Sequence, residues 1–163
     1  DIYALKVSKR MKIKHFAISF VNNHTDLDMV KKIVGNKAFL ISKIETKNAV
    51  KNLKSISIKS DALLIDRGDL SREIPIEKIP AAQEYILKSM KKMKKTTYIA
   101  TNLLETMIYD SQPTRAESND IYSTIKQGAK GLVLAAETAI GKNPIECVKF
   151  LKKCIKSYNT NSF

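Results

Sequence analysis

Five short apolar runs, each followed by a stretch with helical spacing, constrain this chain more than any other feature. The runs span residues 15–20, 38–44, 62–66, 97–101 and 131–135, and they are rich in Ile, Leu, Val, Ala and Phe. They lack the in–out alternation of a half-exposed sheet, and near-continuous apolarity is what strands covered on both faces show. Helical spacing fills the intervals. Residues 25–34 have Thr25 or Asp26 as a candidate N-cap and Gly35 as a stop, and residues 46–55 gather Ala49, Val50 and Leu53 on one face. Residues 79–94 gather Ala82, Tyr85, Ile86, Ser89 and Met90, and residues 113–128 open on Pro-Thr and close on Gly128. Residues 143–158 repeat Ile145, Val148, Leu151, Cys154 and Ile155, and a further helix is expected at 2–12. Strands alternating with helices build parallel sheets with right-handed crossovers. Five such units fit either an open doubly wound sheet or five-eighths of a (β/α)₈ barrel. A Gly-rich dinucleotide loop is absent, in a chain with only 5 glycines.

Composition narrows the partners. The 163 residues carry a formal net charge of +13, but only 4 of the 29 basic residues are Arg (Arg10, Arg67, Arg72 and Arg115). Base readers and phosphate clamps favour the planar fork of Arg. The lysines are dispersed apart from Lys91, Lys92, Lys94 and Lys95, so a solvated Lys-rich surface is expected and nucleic acid is not an expected partner. No apolar run approaches the roughly 18–20 residues of a membrane span, and no signal peptide is expected from the opening residues. Cys147 and Cys154 lie seven apart on one expected helix and read as packing residues, which makes a reducing cytoplasm the expected location. His15 and His24 share no metal-ligand spacing and read as structural.

Ligands of parallel α/β folds sit at the carboxyl ends of the strands. Four consecutive runs carry polar groups there: Ser42-Lys43-Ile44-Glu45, Asp66-Arg67-Gly68-Asp69, Ala100-Thr101-Asn102 and Ala135-Ala136-Glu137-Thr138. Alternation places Lys43 and Glu45 on the same side. Glu45 and Asp69, arriving from adjacent strands, form a candidate site for a hard divalent cation, since Mg²⁺ takes one or two carboxylates and completes its shell with water and substrate oxygens. Lys43 adds a point charge suited to a phosphorylated or enolate-forming substrate. Gly68 permits close backbone approach, so the Gly68 and Asp69 amides are candidate donors to a substrate carboxylate. Singly each motif has a bland reading as a rim ion pair, an ordinary turn or a helix cap. Their recurrence at four strand ends favours function.

These residues resemble the pyruvate kinase family. The segment from Phe39 through Lys43-Ile44-Glu45-Thr46 is similar to the family's Lys-Ile-Glu signature. Arg67-Gly68-Asp69-Leu70 followed by Glu73-Ile74-Pro75, Ala100-Thr101 through Glu105-Thr106-Met107, Pro113-Thr114-Arg115-Ala116-Glu117, and Glu137-Thr138-Ala139 with Gly141 resemble further family segments, in family order. The resemblance implies a partial TIM-type (β/α) barrel, about five of eight units over residues 1–158, with a polar tail at 159–163 and without the lid and regulatory domains. It implies the glycolytic transfer of a phosphoryl group between phosphoenolpyruvate and ADP, giving pyruvate and ATP. Carried over, Lys43 stabilises the transferring group and the enolate, Glu45 and Asp69 hold Mg²⁺ or Mn²⁺, the Gly68 and Asp69 amides hold the substrate carboxylate, and Thr101 assists proton delivery. Glu137 takes a proton-relay or structural role. K⁺ is a further candidate cofactor, but its family ligands lie outside this chain, as do an Arg on the phosphate and much of the nucleotide site.

Departures from the family pattern are local. Ser71 stands where the family has Gly, Asn22 where it has Arg, and Ala135-Ala136 where it has Ser-Gly, which removes a hydroxyl of the proposed proton relay. Five units alone leave unpaired edge strands, so a homo-oligomer or a complementing barrel segment is expected. The competing expectation is a non-catalytic relative that binds an anionic metabolite or serves as an assembly subunit.

Overall fold

A computed structural model of the chain describes residues 1–160. The last three residues of the tail expected at 159–163 lie outside them, whereas Asn159 and Thr160 belong to the final helix. The chain divides into two compact units, Asp1–Thr97 and a second beginning at Tyr98.

The first unit runs α1 (Ile2–Arg10), β1 (His15–Ile18), α2 (His24–Val34), β2 (Phe39–Ile44), α3 (Lys47–Lys51), α4 (Leu53–Lys59), β3 (Ala62–Asp66), α5 (Arg67–Leu70), a 3₁₀ turn (Ile76–Lys78) and α6 (Ile79–Lys92). Strand β2 pairs in parallel with both β1 and β3. The register sets Ile41 opposite Ala62, Lys43 opposite Leu64 and Ile44 opposite Ile65. Strand β3 is buried at every position, as a strand covered on both faces must be. Leu63 and Ile65 are fully buried, and each such side chain contributes about 1.5–3 kcal/mol. In β2 the burial alternates, with Leu40, Ser42 and Ile44 inside and Lys43 half-buried.

Strand β4 (Thr96–Ala100) spans the division, and the second unit continues through a 3₁₀ turn (Glu105–Ile108), α7 (Arg115–Gln127), β5 (Gly131–Val133), α8 (Ala136–Ala139) and α9 (Pro144–Thr160). Strands β4 and β5 are parallel, with Tyr98 opposite Gly131. A Cβ at Gly131 would stand 2.6 Å from the Tyr98 ring, so this position suits glycine. The core here is Leu103, Leu104, Met107, Ile121, Cys147 and Leu151.

Local chemistry explains where elements depart from the expected bounds. Helix α2 is capped by Asn23, not by Thr25 or Asp26. Asn23 accepts from the Thr25 backbone, and Asp26 completes a capping box by accepting from the Asn23 backbone at 3.0 Å. The helix expected at 46–55 is two, α3 and α4, broken at Asn52, whose side-chain amide donates to the Asn22 carbonyl at 2.9 Å. Strand β1 stops before Phe20 because Phe20 takes φ 54°, in the left-handed region. Helix α6 ends at Lys92, and Lys94 takes φ 54° where a glycine would be usual. Helix α7 has its cap at Thr114, and Gly128 (φ 110°) ends it as expected. On α9 the buried residues are Cys147 and Leu151, while Ile145 and Val148 of the expected stripe are exposed. Strand β5 is only partly buried, unlike β3.

Candidate functional site

The ends of β2 and β3 build a charged cluster within the first unit. Extending the Ile44–Ile65 register by one step sets Glu45 level with Asp66. Lys43, one pleat back on the Glu45 side, reaches both carboxylates: its Nζ lies 2.5 Å from Glu45 Oε1 and 3.1 Å from Asp66 Oδ2. Lys43 also donates to Ser19 Oγ at 3.4 Å. Burial lowers the affinity of the Lys43 amine for its proton, but the paired carboxylates outweigh it and hold the ammonium above the usual lysine range. Glu45 is 1% exposed. Its Oε2 accepts the Phe20 backbone N–H at 2.5 Å, which accounts for the left-handed turn at Phe20. Its buried Oε1 lies in the Lys43 ion pair, yet no donor meets that oxygen along a hydrogen-bond direction.

Asp69, on the short helix α5, joins this cluster. Ligand oxygens of Glu45, Asp66 and Asp69 all lie within 4.8 Å of one another. Arg72 approaches Asp69 at 3.6 Å from solvent. Gly68 and Asp69 lie in the first turn of α5, where helix geometry turns N–H groups away from the helix's own carbonyls. The Ser71 hydroxyl donates to the Gly68 carbonyl at 2.7 Å, so that residue reinforces the turn. Two further bonds steady the loop after Glu45: Thr46 Oγ1 donates to Asn22 Oδ1 at 2.7 Å, and Glu73 accepts the Lys47 N–H at 2.7 Å.

Thr101 and Glu137 belong to the second unit. Thr101 follows β4 with φ 69° and Asn102 follows it with φ 53°, two successive non-glycine residues in the left-handed region. The Thr101 hydroxyl donates to the Ala100 carbonyl at 2.6 Å. Glu137 is buried, and one of its oxygens accepts the Ala135 N–H at 2.9 Å, which shapes the turn into α8. Its other oxygen meets no donor among the described residues. Cys147 packs in the core below, its thiol pushed up by burial and by the nearby Glu137 charge, consistent with a packing role. Glu117 accepts from the Thr106 and Thr114 backbones, each at 2.7 Å.

Residues 1–148 match the family model described as the pyruvate kinase barrel domain. The chain belongs to the pyruvate kinase family. It is 43% identical over 155 residues to a pyruvate kinase of Thermotoga maritima, covering 93% of this chain and 33% of that protein. A pyruvate kinase of Methanocaldococcus jannaschii is 40% identical over 159 residues, covering 96% of this chain and 36% of its own length. One from Mycobacterium tuberculosis is 33% identical over 165 residues, covering 99% and 35%. The chain therefore spans about a third of the length of the curated relatives it matches. Its five β-α units are part of a barrel domain, the fold class expected from the sequence.

Within this family member the first unit brings together Lys43, Glu45 and Asp69 as the strand-end pattern anticipates. That pattern includes Asp66 but gives it no role beside Glu45 and Asp69. Its signal is the register: only the Ile44–Ile65 pairing shows that Asp66, and not Asp69 alone, stands level with Glu45. The cluster fits a hard cation. A Ca²⁺-sized ion with oxygen ligands at ~2.4 Å spans ~4.8 Å between opposite ligands, and Mg²⁺ at ~2.1 Å spans ~4.2 Å. One oxygen of each carboxylate lies within 4.8 Å of the others, a bound that admits the ligand spacing of Mg²⁺ or Mn²⁺. Among the described residues, no helix is long and apolar enough to cross a membrane.

Proposed function

We propose that this chain carries the cation- and phosphoenolpyruvate-binding part of a pyruvate kinase, which moves a phosphoryl group between phosphoenolpyruvate and ADP in glycolysis. The observation that carries this reading is Lys43 held against Glu45 and Asp66, with Asp69 in the same cluster. Phosphoryl transfer draws most of its acceleration from positioning and charge neutralisation, which a fixed ammonium among carboxylates supplies. Lys43 faces the oxygen on which negative charge develops, first on the phosphoryl group and then on the enolate. Glu45 and Asp69 would hold Mg²⁺ or Mn²⁺, which supplies Lewis-acid stabilisation of substrate oxygens when bound. The Gly68 and Asp69 amides orient the substrate carboxylate. Thr101 holds a proton near the methylene carbon, and Glu137, one hydrogen bond from the Ala135 backbone, is the candidate to relay it where the family serine is missing. ADP and ATP, K⁺, a cytoplasmic location, and a second copy or a complementing barrel segment belong to the same reading.

Calorimetric titration with Mn²⁺ tests it. The native chain should bind the ion, and a Glu45→Ala/Asp69→Ala double variant should lose binding. Phosphoenolpyruvate added to the Mn²⁺-loaded chain should bind, and Lys43→Ala should abolish that second event without abolishing the first. Equal Mn²⁺ binding by native and double-variant chains would remove the site.

A further inference from the structure

We propose that Asp66 is a third carboxylate ligand of the cation site. This rests on the divalent-cation reading above and adds a residue to it. Three observations converge. The Asp66 side chain is largely buried, with 11% of its surface exposed, at the last position of a strand buried throughout. Its Oδ2 lies 3.1 Å from the same Lys43 Nζ that touches Glu45 Oε1 at 2.5 Å, so both carboxylates are aimed at one point. One oxygen from each of Glu45, Asp66 and Asp69 falls within a common span of 4.8 Å.

The charges say why a cation belongs there. Carboxylates crowded in a partly buried site repel one another unless positive charge stands among them. Lys43 answers Glu45 and Asp66, and Arg72 reaches Asp69 only from the solvent side. Three carboxylates, one ammonium and a divalent cation sum to zero formal charge; with two carboxylates the same group would carry +1. Asp66 therefore raises the affinity of the site for the ion itself. Phe20 N–H takes one lone pair of Glu45 Oε2, which leaves Oε1 the more available oxygen for that ion. A second firmly placed carboxylate level with it adds a further ligand oxygen.

Two measurements on the full chain test the assignment. In the first, Mn²⁺ is titrated into native, Glu45→Gln and Asp66→Asn chains, each checked for native circular dichroism. Asp66→Asn is expected to weaken Mn²⁺ binding about tenfold or more, and Glu45→Gln to remove it. In the second, which needs no variant, La³⁺ is added to the native chain and side-chain carboxyl ¹³C resonances are followed. Asp66 should shift together with Glu45 and Asp69, while Asp61 at the opposite end of β3 stays put. Native binding lost in Glu45→Gln but unchanged in Asp66→Asn, or an Asp66 resonance that stays still while Glu45 moves, would overturn the Asp66 assignment and leave the cation site standing. A native chain that binds neither ion would overturn both.

Discussion

Replacing Lys43 by methionine should make the chain bind a divalent cation more tightly while making the cation-free protein less stable. Lys43 Nζ sits 2.5 Å from Glu45 Oε1, the more available of its two oxygens, because Phe20 N–H bonds Oε2. The ammonium therefore opposes the ion by charge. A unit charge about 4 Å from a divalent one is opposed by about 2 kcal/mol even at bulk-water dielectric. The Lys43 side chain is 22% exposed, so the real opposition is no smaller than that. Removing it should tighten Mn²⁺ binding about 30-fold, since 1.4 kcal/mol is a factor of about ten. Without metal the variant leaves Glu45 and Asp66 facing each other without the ammonium. Breaking a fully buried pair costs about 3–5 kcal/mol; partial exposure reduces this to about 1–3 kcal/mol. Calorimetry measures the first effect and urea unfolding with and without Mn²⁺ the second. Saturating Mn²⁺, at about 100 times its dissociation constant, should restore about 2.7 kcal/mol. Should Lys43→Met bind Mn²⁺ no more tightly than the native chain, with Glu45→Gln still losing it, the ammonium does not oppose the ion and the electrostatic picture is wrong.

Two predictions concern the second unit. Glu117 is pulled up by desolvation, but backbone and hydroxyl donors at Thr114 and Thr106 outweigh this and hold its carboxyl below the usual range. A depressed carboxyl contributes stability above the ordinary glutamate pKa and loses it as pH falls through the folded value. Glu117→Gln should therefore flatten the acid limb of the stability profile, and Glu117→Ala should cost about 1–3 kcal/mol and release amide-exchange protection at Thr106 and Thr114; an unaltered acid limb would refute the capping role. Gly141→Ala should destabilise by about 2–4 kcal/mol, read from the urea midpoint, because its Cβ would overlap the Glu137 carbonyl oxygen and stand 2.9 Å from that carbonyl carbon; a change under about 0.5 kcal/mol would show that the turn can open.

Much of this was legible in the residues alone. Apolar runs locate all five strands, but only β3 is buried at every position as the missing alternation implies; burial alternates along β1 and β2, and β5 is partly buried. Gly35 and Gly128 mark helix ends because each adopts positive φ after its helix. Lys43, Glu45 and Asp69 were readable as partners because alternation and strand-end placement are local rules. Long-range placement was hidden. Strand β1 stops before Phe20 because the Phe20 amide turns to meet a carboxylate 25 residues away. The helix after β2 breaks at Asn52, whose side chain bonds to the Asn22 carbonyl 30 residues back. Asp66 joins the cluster only through an interstrand register that no single strand contains. On α9 the spacing of Ile145 and Val148 mimics a buried stripe, yet both are exposed, because periodicity names a face without naming what covers it.

The two halves of the proposed chemistry rest on different parts of the chain. Every group assigned to cation and phosphoryl oxygen lies in the first unit, on β2, β3 and α5, so cation binding depends on the β2–β3 register. The group assigned to proton delivery lies in the second. There Thr101 and Asn102 both hold left-handed conformations, each costing about 1–3 kcal/mol for a residue with a Cβ. Local bonds pin them, from Thr101 Oγ1 to the Ala100 carbonyl and from Asn102 Nδ2 to Glu105 Oε2 at 2.9 Å. Lys12, Phe20 and Lys94 hold the same left-handed conformation at turns, so the backbone at Thr101 marks a constrained exit from β4, and its role in proton delivery rests on the proposed function alone. The cation site and the proton donor can therefore fail separately: a chain that binds Mn²⁺ normally and yet cannot protonate an enolate would indict Thr101 or the missing hydroxyl at Ala135, and leave Lys43, Glu45 and Asp69 untouched.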